Sequence, residues 1–342
     1  MNALEIVHVP PTSALLHQWH SVMRAAYTDG HDAMWWESLP QLQHSVTIPH
    51  SRRSRYLFAA MRDGWCVGAL EIAGQVDHPA EPVQIELGVA RDHQGNGVGR
   101  ELASYAVGFA VGHGHTTLQT EVSVPVGQAL ESTRSGLFLA RAGFTVGNVE
   151  DRLLLELPWD GRGERAASCP GLVLSSWVGA CPGEHEIAWS ALEQQMEEDV
   201  PIGGLTRSNT TVDIARMREG EQRSAARGWL LVRTMASLHG APCGYTELMV
   251  DVHDPALVVQ ESTLVERAAR GRGIGNALKS ANLRRLAELP NDLVSRMEYV
   301  QTYTAQQNAP MQRLNEQFGF VRVGTLHDAE RQLPDAAIAA DN

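Results

Sequence analysis

The chain repeats itself once. Gly68 and Gly244 stand 176 residues apart, each inside a strand–turn–strand text: Trp65-Cys66-Val67-Gly68-Ala69-Leu70-Glu71 and Pro242-Cys243-Gly244-Tyr245-Thr246-Glu247. Gln94-Gly95-Asn96-Gly97-Val98-Gly99 recurs at the same offset as Arg270-Gly271-Arg272-Gly273-Ile274-Gly275, and Gly143-Phe144 recurs as Gly319-Phe320. Three landmarks at one spacing imply two homologous domains. A period this long excludes a solenoid, whose units run ~20–50 residues. The length of 342 residues agrees, since domains usually hold ~100–200. The polar, Gly-bearing run from Trp159 to Arg165 reads as a linker. The expected organisation is a first domain over 1–158, a linker over 159–171, a second domain over 172–326 and a frayed tail over 327–342.

Each half follows one order of elements. A short strand (Leu4–Val9; Leu172–Trp177) precedes helical text (Leu15–Tyr27; Glu184–Glu198). Two strands then pair across a turn (Tyr56–Met61 with Val67–Ile72; Trp229–Met235 with Cys243–Val250), and a fourth follows (Val83–Val89; Leu257–Val265). After the glycine turn come a helix (Val98–Val111; Ile274–Leu286), a fifth strand (Thr116–Val122; Tyr299–Thr304), a helix (Leu130–Arg141; Ala309–Phe318) and a last strand (Arg152–Leu157; Val321–Thr325). Hairpin-joined strands followed by helix-joined strands predict an α+β fold with a mixed, mostly antiparallel sheet.

Charge narrows the function. The net charge of −12 disfavours a nucleic-acid partner, because phosphate binding needs clustered positive charge. The same field favours a cationic amine. No apolar run approaches the ~18–20 residues of a membrane span, and the N-terminus has neither a basic nor an apolar leader segment. Cys66, Cys169, Cys181 and Cys243 show no metal-binding spacing, so no metal is expected. They read as thiols of a reducing, cytoplasmic compartment.

The glycine turn follows the fourth strand and opens a helix. Glycines allow close approach of backbone to a ligand, and the free N–H groups of a helix start hold an anion. The turn lacks the position and spacing of a dinucleotide fold and the Lys-Ser/Thr of a P-loop. Together with Gln306-Gln307-Asn308-Ala309-Pro310-Met311 and Leu314-Asn315-Glu316-Gln317-Phe318-Gly319-Phe320, it resembles the GNAT superfamily of acyl-CoA-dependent N-acyltransferases. Two such domains in one chain are similar to actinobacterial tandem acetyltransferases, among them mycothiol synthase and antibiotic N-acyltransferases. The resemblance implies two GNAT-like domains, each with a V-shaped splay between the fourth and fifth strands and flanking helices. It implies acetyl-CoA, or a longer acyl-CoA, as cofactor. The pyrophosphate would lie against Arg270, Gly271, Arg272, Gly273, Ile274 and Gly275, and the pantetheine arm against Leu264, Val265 and Asn308. In the first half Val89, Gln94, Gly95, Asn96, Gly97, Val98 and Gly99 are equivalent, with Ser132 where Asn308 would fall.

Amine acylation needs a deprotonated amine, a stabilised carbonyl oxygen and a way out for the thiolate. The resemblance implies a Tyr four residues before Gly-Phe as proton donor, but Leu139 and Asn315 stand there. Asn315 can hydrogen-bond a thiolate, and Tyr303 is the substitute donor. Glu86 and Glu261 on the fourth strands are candidate bases, with Ser262 at the offset of Glu86. Alternation along a strand lets only one of Glu261 and Ser262 face the slot. His185 at the start of helical text is a third candidate. Glu71 and Glu247 recur at the offset and read as exposed strand-face carboxylates. The acceptor side would be the first helices and their loop, carrying Glu193, Glu197, Glu198 and Asp199 in the second half and Trp35-Trp36 in the first. The expected activity is acyl transfer to a primary amine of a small molecule, an amino sugar of a secondary metabolite or antibiotic for instance, by a monomer or homodimer. A mycothiol-synthase-like acetyltransferase and a silent acyl-CoA-binding module are the alternatives. The second domain, with its fuller motifs, is the expected seat of chemistry.

Overall fold

The computed structural model describes residues 3–48, 53–75, 81–165, 169–206 and 211–334. The first repeat runs β1 (Glu5–His8), α1 (Ala14–Thr28), α2 (Leu39–Thr47), β2 (Ser54–Arg62), β3 (Trp65–Gly74), β4 (Val83–Val89), α3 (Val98–Gly112), β5 (Thr117–Pro125), α4 (Arg134–Arg141) and β6 (Thr145–Glu156). The second runs β7 (Leu172–Val178), α5 (Glu186–Asp199), α6 (Ile214–Ala226), β8 (Trp229–Leu238), β9 (Ala241–Asp251), β10 (Leu257–Val265), α7 (Ile274–Ala287), α8 (Asn291–Val294), β11 (Tyr299–Ala305), α9 (Ala309–Phe318) and β12 (Val321–Gln332). The offset of 176 survives into local geometry. Ala90 N–H donates to Val67 O at 3.0 Å, and Glu266 N–H to Cys243 O at 2.9 Å. β6 and β12 likewise begin and end 176 residues apart.

The chain divides into two compact units that do not coincide with the expected domains. The first unit holds the chain up to Glu150 together with the segments that begin at Ile202 and Gly324; the second holds Asp151–Pro201 and the chain from Thr210 to Val323. Within the first unit the strand order is β1-β2-β3-β4-β5-β12, within the second β6-β11-β10-β9-β8-β7. The expected tail at 327 is therefore corrected. β12 continues to Gln332 and pairs antiparallel with β5 from Gly324↔Pro125 to Gln332↔Thr117. Both faces of the strand are partly covered: Leu326 and Ala329, which lie on opposite faces, are buried, while Asp328 and Glu330 keep partial exposure. Residues 335–342 lie outside the described residues. The described part of the linker is not loose. Trp159 stacks on Phe318 with ring centroids 5.6 Å apart, and Arg165 N–H donates to Asn276 Oδ1 at 3.0 Å.

In each unit the fourth strand pairs in parallel with the fifth only at its start, through Val83 and Gln84 in β4 and through Leu257, Val258 and Val259 in β10. Beyond those residues the two strands separate, leaving an open strand edge as the walls of a slot. Side chains stitch the apex. Gln84 Nε2 donates to Gln119 Oε1 at 2.9 Å, and Thr302 Oγ1 to Gln260 O at 3.1 Å. Beneath the slots, α3 and α7 pack Val98, Leu102 and Ala106, and Ile274, Leu278 and Leu283, into the cores. α7 also buries Lys279, the chain's sole lysine, between Gln260 Oε1 at 3.5 Å and the Phe320 ring at 5.2 Å. Among the described residues no helix is long and apolar enough to cross a membrane, and no three His, Cys, Asp or Glu side chains group as metal ligands.

Candidate active site

The glycine turns have the backbone that the sequence requires of them. Gly95, Gly97, Gly271 and Gly273 have φ of 78°, 82°, 78° and 77°, where side chains are strained. Nothing lies within 4 Å of a Cβ added at Gly95, Gly271 or Gly273, so the space over the turn is open. The third glycine serves packing instead: a Cβ at Gly99 would meet Phe138 at 3.3 Å, and one at Gly275 would meet Leu314 at 3.3 Å. The turn is pinned to the strand end by a side chain. Gln94 Nε2 donates to Val89 O at 3.1 Å, and Arg270 Nε to Val265 O at 2.9 Å. Above each turn the first-turn N–H groups of α3 and α7 have no partner within their own helix. An open cradle of N–H groups beside the free edge of β10 at Leu264-Val265 fits a pyrophosphate carried on an extended amide arm.

Several expected contacts fall elsewhere. Asp199, read as an acceptor-side residue, ends α5 on the cofactor turn: its carboxylate meets Arg267 at 3.0 Å and Arg270 at 3.4 Å. The first unit repeats the tie between Asp29 and Arg91, at 3.6 Å. Asn308 caps α9, its Oδ1 accepting from Met311 N–H at 3.3 Å. Its counterpart as cap is Thr133, not Ser132: the Thr133 hydroxyl accepts from Gly136 N–H at 2.9 Å. Asn315 is buried, and its Nδ2 donates to Thr304 Oγ1 at 2.9 Å. One of its two amide hydrogens is engaged there, inside the protein. His185 lies flat against Trp177, ring centroids 5.5 Å apart, in front of α5 and away from the slot. The Tyr303 hydroxyl accepts from Gln301 Nε2 at 3.3 Å.

Glu71 and Glu247 are not exposed strand-face groups. Glu71 is buried and takes two bonds from Arg55, at 2.6 and 2.7 Å, while Arg55 also reaches Glu37. Arg233 joins Glu247 to Glu221 in the same way. The sequence signal was available: in each repeat an arginine on the second strand shares a face with a glutamate on the third.

The second unit gathers a cleft of about 350 Å³ beside the β10 edge. Glu261 and Ser262 both line it, against the expectation that alternation would admit only one. The reason is a β-bulge in β10 opposite β9, between Gln260 and Thr263. The buried Gln260 amide holds the bulge open, donating to Glu247 O at 2.6 Å and Ser262 O at 3.2 Å. Glu193 and Glu197 from α5 line the same cleft, with Tyr245 and Glu247 from β9. Glu261 touches solvent in the cleft but is hemmed in by protein, and this enclosure, then Glu247, pushes its carboxyl up to about 7. Burial takes Glu193 up to about 7 against a 2.7 Å bond from Trp189 Nε1.

In the first unit Glu86 and Tyr27 are electrostatic neighbours, each influencing the other's proton affinity, and Tyr27 packs on Trp36 with ring centroids 4.3 Å apart. Trp35 is half-buried beside them in sequence. Burial first, then Glu71 and Glu121, push Glu86 up to about 8. Asp328 stands opposite Glu121 across the β5–β12 pairing, which sequence reasoning missed because it ended the strand at Thr325.

The sequence profile of the acetyltransferase (GNAT) family matches residues 16–132. Over 96% of this chain and 98% of its own, a tandem GNAT protein from the clavulanic acid biosynthesis pathway superposes with a TM-score of 0.79 at 24% identity. The chain has the fold of a tandem GNAT protein. A GCN5-related N-acetyltransferase from Sphaerobacter thermophilus shares the fold over 97% of this chain and 96% of its own, with a TM-score of 0.65 at 14% identity. In sequence, the chain is 29% identical over 258 residues to a mycothiol acetyltransferase of Acidothermus cellulolyticus, covering 72% of this chain and 71% of that one.

Proposed function

We propose that this chain is a tandem GNAT enzyme that transfers an acyl group from acetyl-CoA, or a longer acyl-CoA, to a primary amine of a small molecule, and that the second unit does the chemistry. The observation that carries the proposal is the junction of three features in that unit: the open glycine cradle, the free β10 edge and the carboxylate-lined cleft at the bulge. Gly271 to Gly275 would hold the pyrophosphate and Leu264-Val265 the pantetheine arm, presenting a thioester whose carbonyl carbon is the electrophile. Glu261 takes a proton from the incoming ammonium, directly or through water. With a pKa near neutrality it is partly ionised at pH 7, which suits a base. Asn315, an amide bonded to Thr304, supplies no proton, so the thiolate leaves as an ion or with a proton from Tyr303 or water; a free thiol with a pKa of ~8.5 makes this accessible near neutral pH.

A second reading rests on Glu86, held near neutrality beside Tyr27: the first unit, to which the family profile aligns, is the active one. The relatives lend context to two acceptor classes, the amine of a mycothiol precursor and an amine of antibiotic biosynthesis. The test is release of CoA thiol from acetyl-CoA across an amine library by wild type, Glu261→Gln and Glu86→Gln. Loss confined to Glu261→Gln supports the second unit, and loss confined to Glu86→Gln moves the chemistry to the first. Retention of acyl-CoA without thiol release from any amine would make the chain a silent binding module.

A further inference from the structure

The lining of the second unit's cleft carries two opposed chemistries. Glu193 and Glu197 of α5 and Glu261 of the β10 bulge supply carboxylates. α6 and its C-cap residue supply Arg216, Gly220, Arg223 and Arg227 in turn. Their spacings of four, three and four residues put all of them on one stripe of the helix. The three arginines are half-buried. Arg216 donates to Thr211 O at 3.3 Å, and Arg223 lies 3.4 Å from Glu219 on its own helix. A third set closes on itself deeper in the wall, where Arg233 joins Glu221 and Glu247. The floor between is apolar, with Met196, Met217, Leu231 and Met249.

Gly220 interrupts the arginine stripe where it faces the cleft. No left-handed φ requires glycine there, and nothing lies within 4 Å of an added Cβ. A mid-helix glycine costs ~1 kcal/mol against alanine. What the position gains is room.

We infer that this cleft recognises an amine that also carries a carboxylate, its ammonium against Glu193 and Glu261 and its carboxylate against the Arg216–Arg223–Arg227 stripe. The inference rests on the acyltransferase reading and narrows its acceptor to an amino-acid-like zwitterion. Arginine forks match a carboxylate in two parallel bonds, which a hydroxyl-bearing sugar face cannot use as fully. A cleft of about 350 Å³ suits a molecule of that size. An amine without the acid makes none of those paired bonds, and discrimination follows from that.

The experiment is calorimetric titration of the full-length protein, free of acyl-CoA, with amino acids and their decarboxylated twins: lysine and cadaverine, ornithine and putrescine, arginine and agmatine, histidine and histamine. At least one acid should bind tenfold or more tightly than its twin. The double variant Arg216→Gln/Arg223→Gln should erase that advantage while binding of the twin is unchanged. Gly220→Leu should abolish binding of the acid without lowering the melting temperature. Twins that bind as tightly as the acids, an acid advantage that survives the double variant, or no binding of any acid overturns the inference. Acetyl-CoA is titrated into the same preparations. Its retention shows that only the zwitterion inference has failed, whereas its absence removes the acyltransferase reading beneath it.

Discussion

Glu261 owes its place in the cleft to one extra residue in a strand. Without the bulge, strict alternation would turn either it or Ser262 away from the cleft, and nothing in the local sequence marks the bulge. Its consequence can be measured in pH profiles. A base raised to about 7 is protonated below that value, so kcat/KM should rise with pH through about 7 and then level. Glu261→Gln should lose ~10²–10⁴-fold at neutral pH and recover in part at alkaline pH, as free amine accumulates. A wild-type profile flat from pH 5 to 9 would remove Glu261 from the role. Lys279 is the other residue with a definite pH signature. Burial lowers it from 10.5 to about 7, so between those values the unfolded chain holds a proton that the folded chain does not. Stability should therefore rise with pH across that window, and the cost should be fully present below about 7. Lys279→Met should raise stability at pH 7 by roughly 2–5 kcal/mol and flatten the slope between pH 7 and 10.5 in denaturant titrations. A variant less stable than wild type at pH 7 would show that the Phe320 and Gln260 contacts outweigh the desolvation.

At the level of elements, most of the fold was legible because the repeat prints the same pattern twice. The β4 and β10 boundaries were read to the residue from their flanking turns. α6 was not, since only Met217 and Glu221 of its thirteen residues are buried, which leaves no apolar stripe to mark a helical period. The cleft that α6 walls was lost with it. The cofactor turn makes its own prediction. Gly273→Asp imposes a left-handed side chain, ~1–2 kcal/mol of strain, and a like charge on the anion cradle. Acetyl-CoA affinity should fall tenfold or more, equivalent to ~1.4 kcal/mol, and Gly97→Asp should matter less. An equal loss from both variants would place cofactor in both units. Asp199 sits on the arginines of this turn. Asp199→Asn should free them, tightening acetyl-CoA several-fold in low salt without changing amine KM. A change in amine KM alone would return Asp199 to the acceptor side.

For the molecule as a whole, the compact units depart from the repeats because each repeat's last strand passes from one unit into the other. Sequence offsets locate homologous text, but they carry no information on which copy of a strand pairs with which neighbour. Residues 1–158 alone would leave β5 without the nine residue pairs it makes with β12, a long exposed edge open to other chains. The isolated fragment should aggregate or pair with itself, and co-expression with 159–342 should restore a soluble species. A monomeric, cooperatively melting 1–158 fragment would contradict this.

The pairing of Thr117 with Gln332 also sets a timetable for synthesis. The first unit is started early and cannot be finished until some 200 residues more have been translated. At ~5–20 residues per second that interval is roughly 10–40 s, during which the β5 edge stands open on the nascent chain. Ribosome-associated chaperones have a defined target in that interval, and codon choice between residues 125 and 324 bears directly on how long it lasts.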